Sequence, residues 1–113
     1  MTEITVVYDG RRPIALDAKG HSGYAEKGGD IVCAGVSVLL QTLLYGFEQV
    51  LTSNSFKSFV DKRETVMSMD WRFTPLNESS LLVEAIIGSL KNIARDYPEH
   101  VRILEVQVNE QDF

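Results

Sequence analysis

The chain has 113 residues, 44% of them hydrophobic, which suits one globular domain with a core of its own. Sixteen acidic against eleven basic residues give a formal charge of −5, so the average surface repels nucleic-acid backbones and suits a basic peptide or protein. One cysteine excludes an intramolecular disulfide, and one cysteine with two distant histidines does not make a four-ligand zinc site. We therefore expect a single domain over residues 1–113, with no metal, no cofactor and no direct nucleic-acid partner.

The sequence shows no pattern of membrane targeting. Its first residues lack the basic and then apolar order of a secretory signal, and no eighteen apolar residues follow one another without a polar break. The expected location is therefore the cytoplasm, with no membrane partner.

The first predicted elements are a hairpin and a long helix. Thr2–Tyr8 is rich in β-branched residues, residues 9–13 carry turn chemistry, and Ile14–Lys19 alternates apolar with polar side chains. Residues 31–51 (IVCAGVSVLLQTLLYGFEQVL) are too long and too continuously apolar for a strand, and Asp30 before them is a good N-cap. Because this helix is apolar nearly all round, we expect the sheet, the second helix or another subunit to cover it.

Two further strands are predicted after this helix. Residues 56–60 and 65–73 have strand composition and flank a charged DKRE turn. The candidate buried side chains here are Val66, Met69, Trp71 and Phe73.

The C-terminal part predicts a second helix and a last strand. Either Thr74 or Asn77 caps this helix, apolar residues recur in it at spacings of three and four, and Pro98 stops it. Residues 101–108 alternate as a strand. The order β-β-α-β-β-α-β predicts an α+β domain with two main helices packed on a mixed or antiparallel sheet.

One stretch, GHSGYAEKGGDIVCAGVS at residues 20–37, brings together the only cysteine, a histidine and several glycines. With Asp30 as N-cap, Cys33 is the third residue of the helix, where unpaired backbone amides and the helix dipole favour a thiolate. His21 is the only histidine close to Cys33 in sequence, which makes it the candidate general base. A lone cysteine in an apolar helix is also often a small core residue, so both interpretations stay open at this point.

Asp30 and Ser37 each have two interpretations. Asp30 either only caps the helix or holds the His21 ring in the correct tautomer. Ser37 lies four residues after Cys33, on the same helical face, where its hydroxyl either orients a ring or a water or bonds back to the Cys33 carbonyl.

The glycines of this stretch allow its backbone to approach an extended ligand closely. Those between the histidine and the cysteine are Gly23, Gly28 and Gly29. A nucleotide-binding loop is excluded, because the segment has neither the Gly-Lys-Ser/Thr ending of a P-loop nor a GxGxxG pattern.

The combined pattern GHSGYA, a glycine-bearing gap and GDIVCAGVSVL closely resembles the bacterial ribosomal-processing cysteine proteases. Their signature is Gly-His-Ala, a short flexible gap and Gly-x-Asp-Ile-Val-Cys-Ala-Ala-Val-Ser. The resemblance extends to the N-terminal hairpin, the long helix after the cysteine and a second helix ending in a Tyr-Pro pair, here Tyr97 and Pro98. Ser22 and Gly35 stand where alanine is commoner in the family, and neither change removes a catalytic group.

This resemblance implies a cysteine endopeptidase with a Cys-His pair, in which Cys33 is the nucleophile and His21 the general base. It implies that Asp30 and Ser37 support the pair, and that a mobile loop between histidine and cysteine orders over the peptide. The implied loop glycines are Gly23, Gly28 and Gly29.

The resemblance also implies a substrate and an assembly. The substrate is the N-terminal extension of large-subunit ribosomal protein twenty-seven, cut after a pair of aromatic residues during ribosome maturation, and the enzyme is a homodimer. The residues themselves leave two alternatives: a noncatalytic ribosome-assembly or redox-sensing module, and a thiol-dependent hydrolase of small amides or esters.

Overall fold

The computed structural model describes residues 1–20 and 29–110, with the backbone alone at residues 29, 30 and 110. Its elements follow the predicted β-β-α-β-β-α-β order. They are β1 (Thr2–Asp9), β2 (Arg12–Lys19), α1 (Gly29–Tyr45), a π-helical turn (Gly46–Val50), β3 (Lys57–Asp61), β4 (Val66–Asp70), α2 (Leu76–Asp96), β5 (Val101–Gln107) and a 3-10 turn (Val108–Glu110).

The five strands form one mixed sheet in the order β3-β4-β2-β1-β5. β1 pairs antiparallel with β2 and parallel with β5, and β4 pairs antiparallel with both β2 and β3. In this register Ile4 of β1 lies opposite Ala18 of β2 and Ile103 of β5. The predicted α+β fold is confirmed, and the sheet is of the mixed kind.

Both helices pack on the same face of the sheet. The main core cluster joins residues from the strands, from α1 and from α2: Ile4, Val6, Leu16, Ala18, Val32, Val36, Leu40, Leu43, Val83, Ile86, Ile87 and Leu90. Its largest buried side chains, Trp71 and Phe47, stack with ring centroids 5.6 Å apart. Because side chains alternate along a strand, Val7 points to the other face, where it forms a small second cluster with Ile14 and Ala15.

The helix α1 meets the expectation that several partners cover it. By length and composition the segment Ile31–Val50 is apolar enough to cross a membrane. One stripe of this segment is buried in the core on the sheet, and a second faces α2, where Gly35 approaches Ile93 and Gly46 approaches Leu82. A third stripe is exposed in the single chain.

The start of α1 differs from the prediction. The described part of α1 already includes Gly29 and Asp30, so Asp30 lies inside the helix rather than before it, and Cys33 is no earlier than the fifth residue. Cys33 therefore lies just beyond the turn where the helix dipole acts most strongly.

The start of α2 and the end of β4 also differ from the prediction. α2 begins at Leu76, and its N-cap is Pro75, so neither Thr74 nor Asn77 caps it. A proline suits this place because its φ is fixed and it has no amide to satisfy.

The side chain of Thr74 is buried and is used elsewhere, since its hydroxyl is hydrogen-bonded to that of Ser53 at 2.8 Å. Met69 and Trp71 are buried as predicted, and Val66 is half-buried. Phe73 is 69% exposed, because β4 ends at Asp70 and the amide of Thr74 turns back to the Trp71 carbonyl at 2.9 Å.

Candidate active site

A cleft of about 280 Å³ lies between the first half of α1 and the β3–β4 hairpin. α1 contributes Cys33, Ser37 and Gln41, and the hairpin contributes Val60, Asp61 and Lys62 to the opposite wall. Apolar side chains line much of the rest: Ala18, Val36, Leu40, Val66 and Met67. Such a lining suits apolar side chains of a ligand.

Cys33 is a free, half-buried cysteine on this cleft. Ser37 and Gln41 follow it at intervals of four residues, so the three side chains form one row along the helix. The structure thus brings two of the predicted site residues, Cys33 and Ser37, to the same cavity.

The hydroxyl of Ser37 has a side-chain partner. Gln41 donates a hydrogen bond from Nε2 to Ser37 Oγ at 2.9 Å. Because Ser37 accepts this bond, the bond does not decide between the two predicted roles of its hydroxyl, and these stay predictions. Gln41 was not singled out from the sequence, although its spacing of eight residues from Cys33 places it on the same face.

Hydrogen bonds within the β3–β4 turn hold the hairpin wall of the cleft in shape. Asp61 Oδ1 accepts hydrogen bonds from the amides of Arg63 at 3.0 Å and Glu64 at 3.1 Å, as Asp side chains commonly do in turns. Thr65 ends the turn with a positive φ of 56°.

 The Thr65 carbonyl accepts a hydrogen bond from the Gly20 amide at 3.0 Å, which ties the hairpin to the end of β2.

Gly20 is the last described residue before residues 21–28, and its conformation requires glycine. Its φ is +83°, and an added Cβ would lie 2.5 Å from the carbonyl oxygen of Met1. The direction in which the chain leaves β2 is therefore fixed at Gly20.

Several predicted site residues lie outside the described residues. These are His21, Gly23 and Gly28, and at Gly29 and Asp30 the description is limited to the backbone of the first turn of α1. The Cys-His pair and the glycine loop therefore stay predictions. Within residues 1–20 and 29–110, no three His, Cys, Asp or Glu side chains are grouped closely enough to hold a metal ion.

One group of residues with shifted pKa values lies away from the cleft. At the opposite end of the sheet, Lys91 Nζ donates to Tyr8 Oη at 3.2 Å and to Glu105 Oε2 at 2.9 Å. Burial, and then the hydrogen bond with Glu105, raise the pKa of Tyr8. The pKa of Glu105 is lowered by its hydrogen bonds with Tyr8 and then Lys91, and the bond with Glu105 raises the pKa of Lys91.

Comparison with known proteins places this chain in a family. The family described as cysteine protease Prp matches residues 1–102. The ribosomal processing cysteine protease Prp of Bacillus subtilis is 31% identical over 96 residues, covering 80% of this chain and 83% of that protein. The protein of the same name from Mycoplasma genitalium is 34% identical over 91 residues, covering 80% of this chain and 86% of its own length.

The fold agrees with a solved structure. The ribosomal processing protease Prp of Staphylococcus aureus, in complex with a substrate peptide, superposes with a TM-score of 0.81 at 24% identity, over 93% of this chain and 99% of that one. The family match over residues 1–102 includes every residue that lines the cleft. The chain therefore belongs to the Prp family of ribosomal-processing cysteine proteases.

Proposed function

We propose that this protein is a cytoplasmic cysteine endopeptidase that removes the N-terminal extension of large-subunit ribosomal protein twenty-seven. The observation that carries the proposal is the half-buried Cys33 thiol on an open cleft, in a chain of a cysteine protease family. The formal charge of −5 favours encounter with a basic ribosomal protein.

In the proposed reaction Cys33 is the nucleophile and His21 the general base. The thiolate attacks the scissile carbonyl carbon, the carbon–nitrogen bond breaks, and His21 protonates the leaving amine. Water then attacks the thioester while His21 takes up its proton, and the carbon–sulfur bond breaks to release Cys33. Backbone amides at the start of α1, near Cys33, are the candidate donors to the oxyanion.

The supporting residues of the proposal are Asp30, as partner of the His21 ring, and Ser37, which shares the cleft with Cys33. The glycines assigned to a loop over the peptide are Gly23, Gly28 and Gly29. The apolar lining of the cleft suits the aromatic side chains that precede the proposed cleavage site. The Staphylococcus aureus Prp protease binds a substrate peptide on the same fold, which supports a peptide as the occupant.

The decisive experiment is cleavage of a synthetic peptide that carries the extension and its aromatic pair. Cys33→Ala and Cys33→Ser are expected to lower turnover by at least about a thousandfold while the circular dichroism spectrum stays unchanged, since removing a nucleophile removes the covalent route. Turnover by both variants at the wild-type rate would show that Cys33 is not the nucleophile.

The reactivity of the thiol separates the peptidase from a noncatalytic module. Iodoacetamide is expected to alkylate Cys33 in the folded protein at neutral pH, more slowly in His21→Ala. A thiol that reacts only after unfolding, in a protein that leaves the peptide intact, would point instead to an assembly or redox-sensing role. Turnover that is independent of peptide length would point to a hydrolase of small amides or esters.

The proposed enzyme is a homodimer that uses the exposed stripe of α1. Ile31, Val38 and Tyr45 recur at intervals of seven residues and are 77%, 62% and 63% exposed. Sedimentation is expected to show a dimer at micromolar concentration, and Val38→Glu is expected to shift it to the monomer, because the interface would bury an unpaired carboxylate. A wild-type monomer under these conditions would refute the dimer.

A further inference from the structure

The row of Cys33, Ser37 and Gln41 along α1 contains an interaction that the proposed reaction does not yet use. Gln41 Nε2 donates to Ser37 Oγ at 2.9 Å, one helical turn beyond the thiol. All three side chains line the same cleft. A hydroxyl that accepts this bond keeps its own proton free for another acceptor, and that proton points away from Gln41.

Other helical hydroxyls in the protein bond differently. Thr42 donates to the Val38 carbonyl at 2.7 Å, and Ser89 donates to the Ala85 carbonyl at 2.8 Å, each four residues back along its helix. Such a bond consumes the proton of the hydroxyl within the helix itself. The contact with Gln41 leaves Ser37 able to donate into the cleft.

Ser37 lies on the cleft wall beside the apolar core. Val36 and Leu40, its neighbours on the cleft wall, are buried in the apolar core. The bond to Gln41 is exposed to solvent, whereas Ser37 itself is half-buried. The side of Ser37 opposite Gln41 is the turn of Cys33, because the three residues follow one another at intervals of four.

We propose that Gln41 is a positioning residue of the peptidase: its amide turns the Ser37 hydroxyl so that the proton is presented to the Cys33 end of the cleft. Gln41 acts through Ser37 and does not itself touch the reacting atoms. The inference rests on the proposed function, because the turnover that it modulates is the cleavage of the extension peptide.

The test reverses the polarity of this bond with nearly the same shape. In Gln41→Glu the side chain accepts only, so Ser37 must donate to it and its proton turns away from Cys33. We expect kcat for the extension peptide to fall about tenfold, with KM changed less than about twofold, which corresponds to one charge-assisted hydrogen bond. Gln49→Glu, an exposed glutamine beyond the cleft, is the charge-matched control and is expected to keep the wild-type kcat.

A double-mutant cycle shows whether the effect passes through Ser37. Ser37→Ala is expected to lower kcat, and adding Gln41→Glu to it is expected to cause no further loss. An equal loss from Gln41→Glu with and without Ser37 would overturn the proposal, because the new charge would then act directly. A wild-type kcat in Gln41→Glu would overturn it as well.

Alkylation keeps this inference separable from the proposed function. If the wild-type protein leaves the extension peptide intact, the proposed function fails, and the same cycle is read from the rate at which iodoacetamide alkylates Cys33. A change caused by Gln41→Glu that disappears in the Ser37→Ala background then still supports the positioning role, and a change that persists contradicts it.

Discussion

One end of the sheet holds a closed cluster of polar side chains, and the other end holds the open cleft. At the end near Tyr8, Lys91 joins the tyrosine to Glu105, and the Gln107 side chain exchanges two hydrogen bonds with the backbone of Gly10, at 3.0 and 2.9 Å. At the other end, a thiol and a hydroxyl face an open cleft. The first end satisfies its own groups and stabilises the fold, whereas the second leaves groups available to a ligand.

The largest expected effect comes from a methyl group at the cleft end. Gly20→Ala combines a positive φ with overlap of the Met1 carbonyl, so we expect the free energy of unfolding to fall by about 2–4 kcal/mol and cleavage to be largely lost. Urea unfolding and peptide turnover measure the two effects.

The matched control lies at the opposite end. Gly10 also has a positive φ, +66°, but an added Cβ would meet nothing within 4 Å. Gly10→Ala is expected to cost about 1–2 kcal/mol and to leave turnover per folded molecule unchanged. Equal loss of turnover in both variants would mean that Gly20 has no particular role at the cleft.

The next effect tests the same contrast at the π-helical turn that follows α1, at the end of this helix far from Cys33. Gly46 approaches α2 so closely that a methyl group there would overlap the side chain of Leu82. Gly46→Ala is expected to lower the free energy of unfolding by about 1–3 kcal/mol in urea titrations, because the helices must separate or Leu82 must move. An unchanged midpoint would show that this contact is loose.

A smaller effect of the opposite sign is expected at the cleft end of the same helix. A Cβ at Gly35 would lie 3.9 Å from Ile93 Cδ1, an ordinary van der Waals contact. Gly35→Ala, which restores the alanine commoner in the family, is expected to raise the free energy of unfolding by about 0.5–1 kcal/mol through helix propensity. Destabilisation in thermal or urea unfolding would contradict this packing.

The smallest effect concerns the closed polar end and depends on pH. The folded-state pKa of Glu105 is lowered by Tyr8 and Lys91, so its contribution is present above the unfolded carboxyl pKa of about 4.3 and is lost as pH falls through the folded value. Glu105→Gln is expected to cost less than about 1 kcal/mol at pH 7, because the pair is half exposed, and nothing in strong acid.

Unfolding by urea at pH 7 and in acid measures this difference. Glu84→Gln, an exposed carboxyl on α2, serves as the control for loss of a charge. A cost for Glu105→Gln that stays the same at both pH values would mean that the ionised carboxylate contributes nothing.

Local patterns predicted the elements of the fold, because alternation and helical spacing are properties of neighbouring residues. Thr2–Tyr8 and residues 101–108 were both expected as strands, but the sequence could not show that they pair in parallel, since they are far apart in the chain. Phe73 was expected to be buried because it continues an apolar alternation, and it is exposed because the strand ends three residues earlier.

The same distinction holds at the cleft. The spacing of four residues placed Ser37 with Cys33, since both belong to one helix. The opposite wall, from Val60 to Lys62, was missed because its position depends on strand pairing between distant segments. Gln41 was missed although its spacing was readable, since an exposed glutamine carries no chemistry of its own without the contact to Ser37.

The hydrogen bond from the Gly20 amide to the Thr65 carbonyl has a mechanical consequence. It joins the residue just before His21 to the hairpin that forms the far wall of the cleft. A shift of that wall is therefore transmitted through this hydrogen bond to Gly20. Any ligand that presses on the β3–β4 turn would thereby also act on Gly20, the last described residue before the proposed base.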